Sequence, residues 1–249
     1  MLQTFEPIGI LRTDFREKFG VPRQPLMVTE ARGVLKLNPV ATYRAALNHL
    51  DTFTHVWVIF VFHQEVNRPW SPCTQPPRAG LVKDLGVFAS RSPRRPNPIG
   101  MSALKLERID YQAVGGIEIH FSGVDILDET PVLDIKPYVP YADKIDSAGP
   151  GWAIEDSTCH PVSYSPESEE ALKKTPDASR LKRFITQILE RDPRPNLNKR
   201  SRPIDHPANQ DKYFSFRILD VEVHWQVKDG VLHVADIFPC IPESALHIR

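Results

Sequence analysis

The sequence predicts a mainly β protein, with a β-barrel in residues 1–145 and a small α+β domain in residues 165–249. Three observations support this prediction: short strand patterns dominate the first half, proline is abundant, and an amphipathic helix and a hairpin come late in the chain. Proline accounts for 24 of 249 residues, roughly twice the usual ~5% share. Many short strands separated by rigid turns are typical of a closed or nearly closed barrel.

The strongest strand pattern is THVWVIFVFHQ (54–64), where seven consecutive residues from Val56 to Phe62 are apolar. Such a β-branched and aromatic run predicts a strand that is buried on both faces. The other strand candidates flank a proline-rich loop or alternate apolar with polar residues; they are 81–90, 99–110 and 115–127. In this half, helical spacing occurs only in residues 41–53.

The second half of the chain has a different pattern. Residues 141–164 are irregular and contain the predicted linker AGPGWAIEDS (148–157). Ser165-Pro166 and Thr175-Pro176 predict helix starts, because each places an oxygen cap before a proline in the first turn. The second helix should end before Pro193, and one apolar stripe runs along it: Leu181, Phe184, Ile185, Ile188 and Leu189. A hairpin with its turn at 228–230 follows.

Several protein classes lack support in the sequence. No run of about 18 apolar residues predicts a membrane span, and the N-terminus does not resemble a signal peptide. Three isolated cysteines argue against a disulfide framework or a cysteine zinc site, and they favour the cytoplasm. No motif for a metal site, a phosphate-binding loop or a dinucleotide is present, which argues against a doubly wound fold.

Charge is distributed unevenly, although the net charge is zero. Residues 155–177 contain six acids against two lysines, and residues 180–202 contain eight bases against two acids. The basic block has two interpretations of about equal weight. It binds a polyanion, or it is the solvated face of a helix.

The segment SRSPRRPNPIG (90–100) contains three arginines, three prolines and no acid. Proline excludes a helix interior and disfavours a central strand. The segment therefore predicts a stiff cationic loop that meets anions.

Three further clusters contain polar side chains of the kinds that catalysis and ligand binding require. The segment 124–141 combines acids with Lys136 and Tyr138, and 17–25 is a second basic, proline-bounded loop. His63-Gln64 ends the most apolar strand, where a barrel-mouth site is expected. The alternative for each acid is a turn former, and for His63 it is a hydrogen-bonded structural histidine.

The loop RSPRRPNPIG (91–100) resembles the signature of the TrmO (TsaA-type) tRNA methyltransferases, Arg-Ser-x-x-Arg-Pro-Asn-Pro-Ile-Gly. VPRQP (21–25) and FVFHQ (60–64) resemble two further family blocks, in the expected order, and QILERDPRP (187–195) extends the likeness. Glu129 occupies a turn position where some relatives have glycine. The acidic segment resembles another block, through Asp125, Asp128, Thr130, Pro131, Asp134, Ile135, Lys136, Pro137 and Tyr138.

This resemblance implies a β-barrel methyltransferase that uses S-adenosylmethionine without a Rossmann fold, and we expect no metal. It implies methylation of N6 of N6-threonylcarbamoyladenosine at position 37 of tRNA, next to the anticodon. It also implies a homodimer with the cofactor near the subunit interface. Two alternatives stay open: a non-catalytic RNA-binding barrel, and a family member with another acceptor.

On this basis we expect the following roles. The cofactor is bound by Pro22, Arg23, Gln24, His63, Gln64, Arg91, Met101, Asp125, Ile126, Leu127, Asp128 and Thr130. Catalysis involves Asp125 or Asp128 as general base, Asn97 as an orienting group and Tyr138 against the modified base. The anticodon stem-loop is contacted by Arg94, Arg95, Lys136, Arg194, Lys199, Arg200 and Arg202.

Overall fold

The computed structural model describes residues 4–74, 84–153, 158–194, 199, 201–209 and 212–240. In these residues the protein is mainly β. The strands are β1 Gly9–Thr13, β2 Arg32–Leu37, β3 His55–Val61, β4 Cys73–Thr74, β5 Leu85–Gly86, β6 Ile99–Asp110, β7 Glu118–Ser122, β8 Thr130–Pro137, β9 Val162–Tyr164, β10 Tyr213–Ile218, β11 Val221–Lys228 and β12 Val231–Pro239. The α-helices are α1 Tyr43–Ala46, α2 Pro140–Asp143, α3 Pro166–Lys173 and α4 Ala178–Leu189.

Six strands close into a barrel in the order β1-β2-β7-β6-β3-β8, which confirms the predicted barrel. β3 is antiparallel to β6 and to β8, with Val61 opposite Ile99 and Phe60 opposite Val132. Along β3 every second side chain is buried and the others are half-buried. The prediction that β3 is buried on both faces was therefore wrong, because a barrel takes only alternate side chains inside.

The strand directions place three connections at one end of the barrel. β8 is antiparallel to β1 and to β3, and β6 is antiparallel to β3 and to β7. β1, β3 and β7 therefore run the same way, and the chain leaves the barrel after each of them at the same end. Within the barrel unit, the connection from β3 to β6 contains most of the sequence blocks 60–64 and 91–100.

The chain divides into two compact units. The first comprises Met1–Arg12, Gly33–Ser122 and Glu129–Ser157, and it contains the barrel. The second comprises Thr13–Arg32, Gly123–Asp128 and Thr158–Arg249. The sequence-based ranges 1–145 and 165–249 assign 13–32 and 123–128 to the barrel domain, because these segments lie between its strands in the sequence.

The second unit is built on the four-stranded sheet β10-β11-β12-β9. The predicted stripe of α4 is buried throughout, and Phe184 packs edge-on against Phe15 at 5.6 Å between ring centroids. Ser165 caps α3 by accepting a hydrogen bond from the Ser168 N–H at 3.0 Å, as predicted. α4 instead begins after Asp177, whose carboxylate accepts from the Arg180 N–H, so the predicted start at Thr175-Pro176 was wrong.

Two predicted elements of the barrel unit are shorter than expected. Residues 81–83 lie outside the described residues, and the rest of the predicted strand 81–90 is the two-residue strand β5 and a 3-10 turn, Val87–Ala89. The predicted helix 41–53 is α1 followed by a 3-10 turn, because His49 adopts a positive φ of 67° that no α-helix accommodates. None of the helices in the described residues is long and apolar enough to cross a membrane.

Gly100 provides a test of packing inside the barrel. It faces Phe60 across the β3–β6 pair, and a Cβ at this position would overlap the buried Phe60 ring. Gly100→Ala should therefore lower the free energy of unfolding by roughly 1–3 kcal/mol, the usual cost of overpacking. Urea unfolding followed by circular dichroism measures this change.

Gly86→Ala is the matched control, because no heavy atom lies within 4 Å of the added Cβ. Its free energy of unfolding should stay within about 0.5 kcal/mol of wild type. Equal stability of the two variants would contradict the packing argument.

Candidate functional site

The loop 87–98 of the barrel unit is held by its own backbone. The Val87 N–H donates to the Pro72 carbonyl at 2.8 Å, and the Ser90 N–H donates back to the Val87 carbonyl at 3.2 Å. At the other end of the loop, the Phe62 N–H donates to the Pro98 carbonyl at 2.7 Å. Since the prolines restrict φ between these anchors, the cations of the loop are presented on a fixed backbone.

The three arginines of this loop have different environments. Arg91 is exposed. Arg94 is half-exposed, and its Nε donates to Glu65 at 3.3 Å. Arg95 is half-buried, and its Nη1 donates to the Ser90 carbonyl at 3.2 Å. Arg95 thus helps to fold the loop, whereas Arg91 and Arg94 are the arginines that offer most surface to a ligand.

Glu65 is a site residue that the sequence analysis missed. It is only 8% exposed and lies in the 3-10 turn His63–Glu65 after β3, where its charge balances Arg94. A buried carboxylate requires such a partner. The sequence feature that could have identified Glu65 is its position directly after His63-Gln64. Glu65 also contributes to a cavity of about 360 Å³, together with Ser71, Cys73, Thr74, Ser92, Pro93 and Arg94.

Two of the predicted cofactor residues lie together in the barrel unit. Thr130 Oγ1 and His63 Nδ1 are 3.3 Å apart, at the end where β3 finishes and β8 begins. Gln64 and Asn97 are exposed. Met101 lies on the outer face of β6 and is 59% exposed. Within the first unit, the structure therefore places His63 of the 60–64 block beside Thr130, the first residue of β8.

In the second unit, Asp128 anchors the acidic segment. Its carboxylate accepts hydrogen bonds from the Thr13 N–H at 2.8 Å and from Arg16 Nη1 at 2.5 Å, and its own N–H donates to the Phe15 carbonyl. Asp128 is only 8% exposed, whereas Asp125 is half-buried. The geometry assigns Asp128 a structural role. Asp125 is half-buried as a residue, and its Oδ1 is enclosed.

The 21–25 block lies beside this acidic segment, within the same unit. The Leu26 N–H donates to the Gly123 carbonyl at 2.8 Å, which joins the two segments directly. Arg23 is exposed, and Pro22 and Gln24 are half-buried. Ile126 is buried and its carbonyl accepts from Thr13 Oγ1, and Leu127 is half-buried. The left-handed φ of 61° at Glu129 explains why glycine suits that turn.

The structure places Tyr138 and Lys136 away from the 91–100 loop. β8 begins at Thr130 and runs toward the opposite end of the barrel, about 25 Å over eight residues. There Tyr138 packs on Trp57, with 5.5 Å between ring centroids, and Lys136 pairs with Asp134 at 2.9 Å. The predicted roles of Tyr138 against the modified base and of Lys136 in RNA contact stay predictions.

The basic block 180–202 is largely neutralised by carboxylates. Six of its eight cations form ion pairs within the second unit: Arg180 with Asp14, Lys182 with Glu169, Arg183 with Glu30, Arg191 with Glu190, and both Arg194 and Lys199 with Asp192. Arg202 is half-buried and donates to the Ala208 carbonyl, and Arg200 lies outside the described residues. Six of these cations therefore already have a carboxylate beside them, and the predicted RNA contact of the block stays a prediction.

Arg194 shows that a basic residue in this block need not lie on an RNA-binding surface. Its side chain is 1% exposed and donates to both oxygens of Asp192 and to Asn209. Although burial raises the pKa of Asp192, the hydrogen bonds and charge of Arg194 and the charge of Lys199 outweigh it and lower that pKa. Burial lowers the pKa of Lys199 to about 8 despite Asp192. Arg194 is thus a structural residue, contrary to the predicted RNA contact.

Comparison with known proteins identifies the family. The profile "tRNA-methyltransferase O N-terminal domain" matches residues 10–144, and "TrmO C-terminal domain" matches residues 157–239. The chain is 36% identical over 240 residues to the tRNA (adenine(37)-N6)-methyltransferase of Escherichia coli K12, covering 94% of this chain and 97% of that one. It is 37% identical to the putative S-adenosylmethionine-dependent methyltransferase RcsF of Pseudomonas aeruginosa PAO1, covering 95% and 98%.

A solved structure shows the same likeness. The crystal structure of TrmO from Pseudomonas aeruginosa superposes with a TM-score of 0.73 at 34% identity, covering 96% of this chain and 99% of that one. The fold and the two profiles define the class, a methyltransferase built on a β-barrel instead of a Rossmann domain. The chain belongs to the tRNA-methyltransferase O (TrmO) family.

The structural role of Asp128 can be tested by stability. Asp128→Ala removes the acceptor of a buried N–H and the partner of Arg16, so we expect a loss of about 1–3 kcal/mol in the free energy of unfolding. Asp128→Asn keeps one acceptor and should lose less. Asp134→Asn is the control, because its exposed pair with Lys136 contributes at most about 1 kcal/mol. If urea unfolding shows Asp128→Ala to be as stable as Asp134→Asn, the anchoring role is wrong.

The role of Glu65 can be tested by kinetics. Glu65→Gln keeps the shape of the side chain but removes the charge that holds Arg94. We expect KM for tRNA to rise about 3- to 10-fold while kcat changes little, because a misplaced cation weakens binding more than chemistry. Glu170→Gln, which breaks an exposed pair with Lys173, should leave both constants unchanged. A fall in kcat alone would exclude this positioning role.

Proposed function

We propose that the protein transfers a methyl group from S-adenosylmethionine to N6 of N6-threonylcarbamoyladenosine at position 37 of tRNA. The observation that carries this proposal is the anchored cationic loop 87–98 in a chain that matches the two TrmO profiles. The E. coli relative is named for adenine 37 of tRNA, which supports the position and the base. The threonylcarbamoyl group on that base is our proposal.

The residues present suit S-adenosylmethionine, which supplies a methyl group activated by a positive sulfonium. Arg91 is an exposed guanidinium that can form two hydrogen bonds to a carboxylate. The His63–Thr130 pair and the 125–128 segment offer polar groups to an ammonium or to ribose hydroxyls. We therefore keep the predicted set of cofactor residues, with Asp128 holding its segment through Arg16 and Thr13.

The contacts of Asp128 bear on the choice of the general base. The attacking nitrogen is a poor nucleophile, because its lone pair is drawn into the purine ring and the carbamoyl group. A carboxylate that accepts its proton as the new bond forms lowers the barrier. Both oxygens of Asp128 already accept hydrogen bonds, so a substrate proton would have to displace Thr13 or Arg16. We assign the base to Asp125 and keep Asn97 as the orienting group.

The charge distribution supports the signature loop, residues 91–100, as the RNA contact. Arg91 is exposed, and Arg94 keeps about half of its side chain exposed although it pairs with Glu65. In 180–202, Arg194 is buried and Arg180 and Lys199 are mostly buried. Phosphates or the threonyl carboxylate are the matching anions, and such contacts weaken as salt rises. Arg95, Arg202 and Lys199 are secondary candidates. A tRNA substrate also favours the cytoplasm, where thiols such as the three free cysteines stay reduced.

A homodimer is supported by the outer face of the barrel. Ile59 and Val61 of β3 are half-buried and pair with Met101 and Ile99 of β6, which are 59% and 42% exposed. These four side chains form an apolar strip on neighbouring strands. Exposed strips of this kind are typical of subunit interfaces. We propose that a second copy of the chain covers it.

Mass spectrometry of tRNA nucleosides tests the proposed function. Purified protein is incubated with labelled S-adenosylmethionine and with tRNA that either contains or lacks N6-threonylcarbamoyladenosine. We expect one labelled methyl group on that nucleoside and none on tRNA without it. Asp125→Asn should bind the cofactor normally and lose at least about 100-fold in rate, the lower range for general base catalysis, while Asp134→Asn keeps the wild-type rate.

Two outcomes would point to the alternatives. Label on another nucleoside would indicate a family member with a different acceptor. Failure to bind S-adenosylmethionine in a calorimetric titration, with tRNA binding retained, would indicate a non-catalytic RNA-binding barrel.

A further inference from the structure

Phe88 is a large apolar side chain that the fold leaves in water. It is 78% exposed, whereas the preceding Val87 is 2% exposed. Both belong to the 3-10 turn Val87–Ala89, directly before the signature loop. Exposure of an aromatic ring to this extent forfeits the hydrophobic stabilisation that burial would supply.

The exposure of Phe88 does not come from a loose backbone. The Val87 N–H donates to the Pro72 carbonyl at 2.8 Å, and Ser90 donates to the Val87 carbonyl through its N–H and its Oγ. On the other side, Trp152 Nε1 donates to the Ala89 carbonyl at 2.7 Å. The residues on both sides of Phe88 are therefore fixed, and the ring is held outward.

Two cations follow Phe88 closely in the sequence, Arg91 after three residues and Arg94 after six. The Ser90-to-Val87 hydrogen bond closes the turn that contains Phe88. Three residues span at most about 11 Å, so the Arg91 backbone lies within that distance of Phe88. An exposed aromatic ring beside cations is the arrangement that binds single-stranded nucleic acid, because bases stack on the ring and phosphates meet the charges.

We propose that Phe88 is a stacking platform for a nucleobase of the tRNA anticodon loop. This inference rests on the RNA substrate of the proposed function and adds a residue that touches that substrate. Charge favours RNA over a second protein chain as the occupant. The proposed dimer strip is aliphatic and lies on β3 and β6, whereas Phe88 lies in the loop that carries the arginines.

Three substitutions separate stacking from other roles. Phe88→Ala removes the ring, Phe88→Leu keeps apolar volume without a π-face, and Phe88→Tyr keeps the π-face. For an anticodon stem-loop RNA that contains N6-threonylcarbamoyladenosine, fluorescence anisotropy should show binding about 5- to 100-fold weaker for the first two. Phe88→Tyr should stay within about 3-fold of wild type. Calorimetry with S-adenosylmethionine and the mass by sedimentation should be unchanged in all three.

Phe5→Ala is the matched control, because Phe5 is a 65% exposed phenylalanine elsewhere in the same unit. β1 pairs Gly9 with Val132 and Leu11 with Thr130, so the chain before Gly9 runs toward the barrel end opposite Thr130. RNA affinity of Phe5→Ala should equal that of wild type.

Each contrary result has its own meaning. Unchanged RNA affinity in Phe88→Ala, while wild type methylates tRNA, overturns the stacking role and leaves the proposed function intact. Weaker S-adenosylmethionine binding would assign the ring to the cofactor adenine, and a loss of dimer mass that Phe88→Leu restores would assign it to the subunit interface. Both results overturn the inference. Absence of methylation by wild type would instead refute the proposed function.

Discussion

Antiparallel closure of the six-stranded barrel is the constraint on which the rest of the structure depends. Because β3 pairs with β6 on one side and β8 on the other, β1, β3 and β7 must point the same way. The connections that follow them begin at one end of the barrel, and the one after β3 contains most of the 60–64 and 91–100 blocks. The same directions carry Tyr138 to the other end, so strand pairing separates it from Thr130, eight residues earlier in the chain.

Carboxylate partners decide which cations are available to an anionic ligand. In the described part of 180–202, six cations form ion pairs, and Arg194 is enclosed by Asp192 and Asn209. In the signature loop a single buried acid, Glu65, holds Arg94 from one side and leaves half of its surface open. Exposed pairs add little stability, but they cancel local charge. A run of basic residues in the sequence therefore does not by itself show which cations remain accessible to an anionic ligand.

Much of the fold was predictable because it is encoded locally. The alternation in 115–127 matches the burial of Ile119 and Phe121 in β7, and the stripe of α4 is buried as predicted. The failures have tertiary causes. Thr175-Pro176 has the composition of a helix start, yet Asp177 provides the cap. The stretch 85–90 has strand composition, but its backbone bonds to Pro72 and forms a turn.

The sequence by itself determined the barrel class, the family likeness and the identity of the four motif blocks, because short-range patterning and motif order need no coordinates. Only the tertiary structure decided what each polar residue is free to do. The sequence does not distinguish Asp128 from Asp125. In the structure, the carboxylate of Asp128 accepts hydrogen bonds from Thr13 and Arg16. Glu65 acquires its role from Arg94, 29 residues further along the chain. Such partners come from distant segments, and their choice depends on the strand register that forms when the barrel closes.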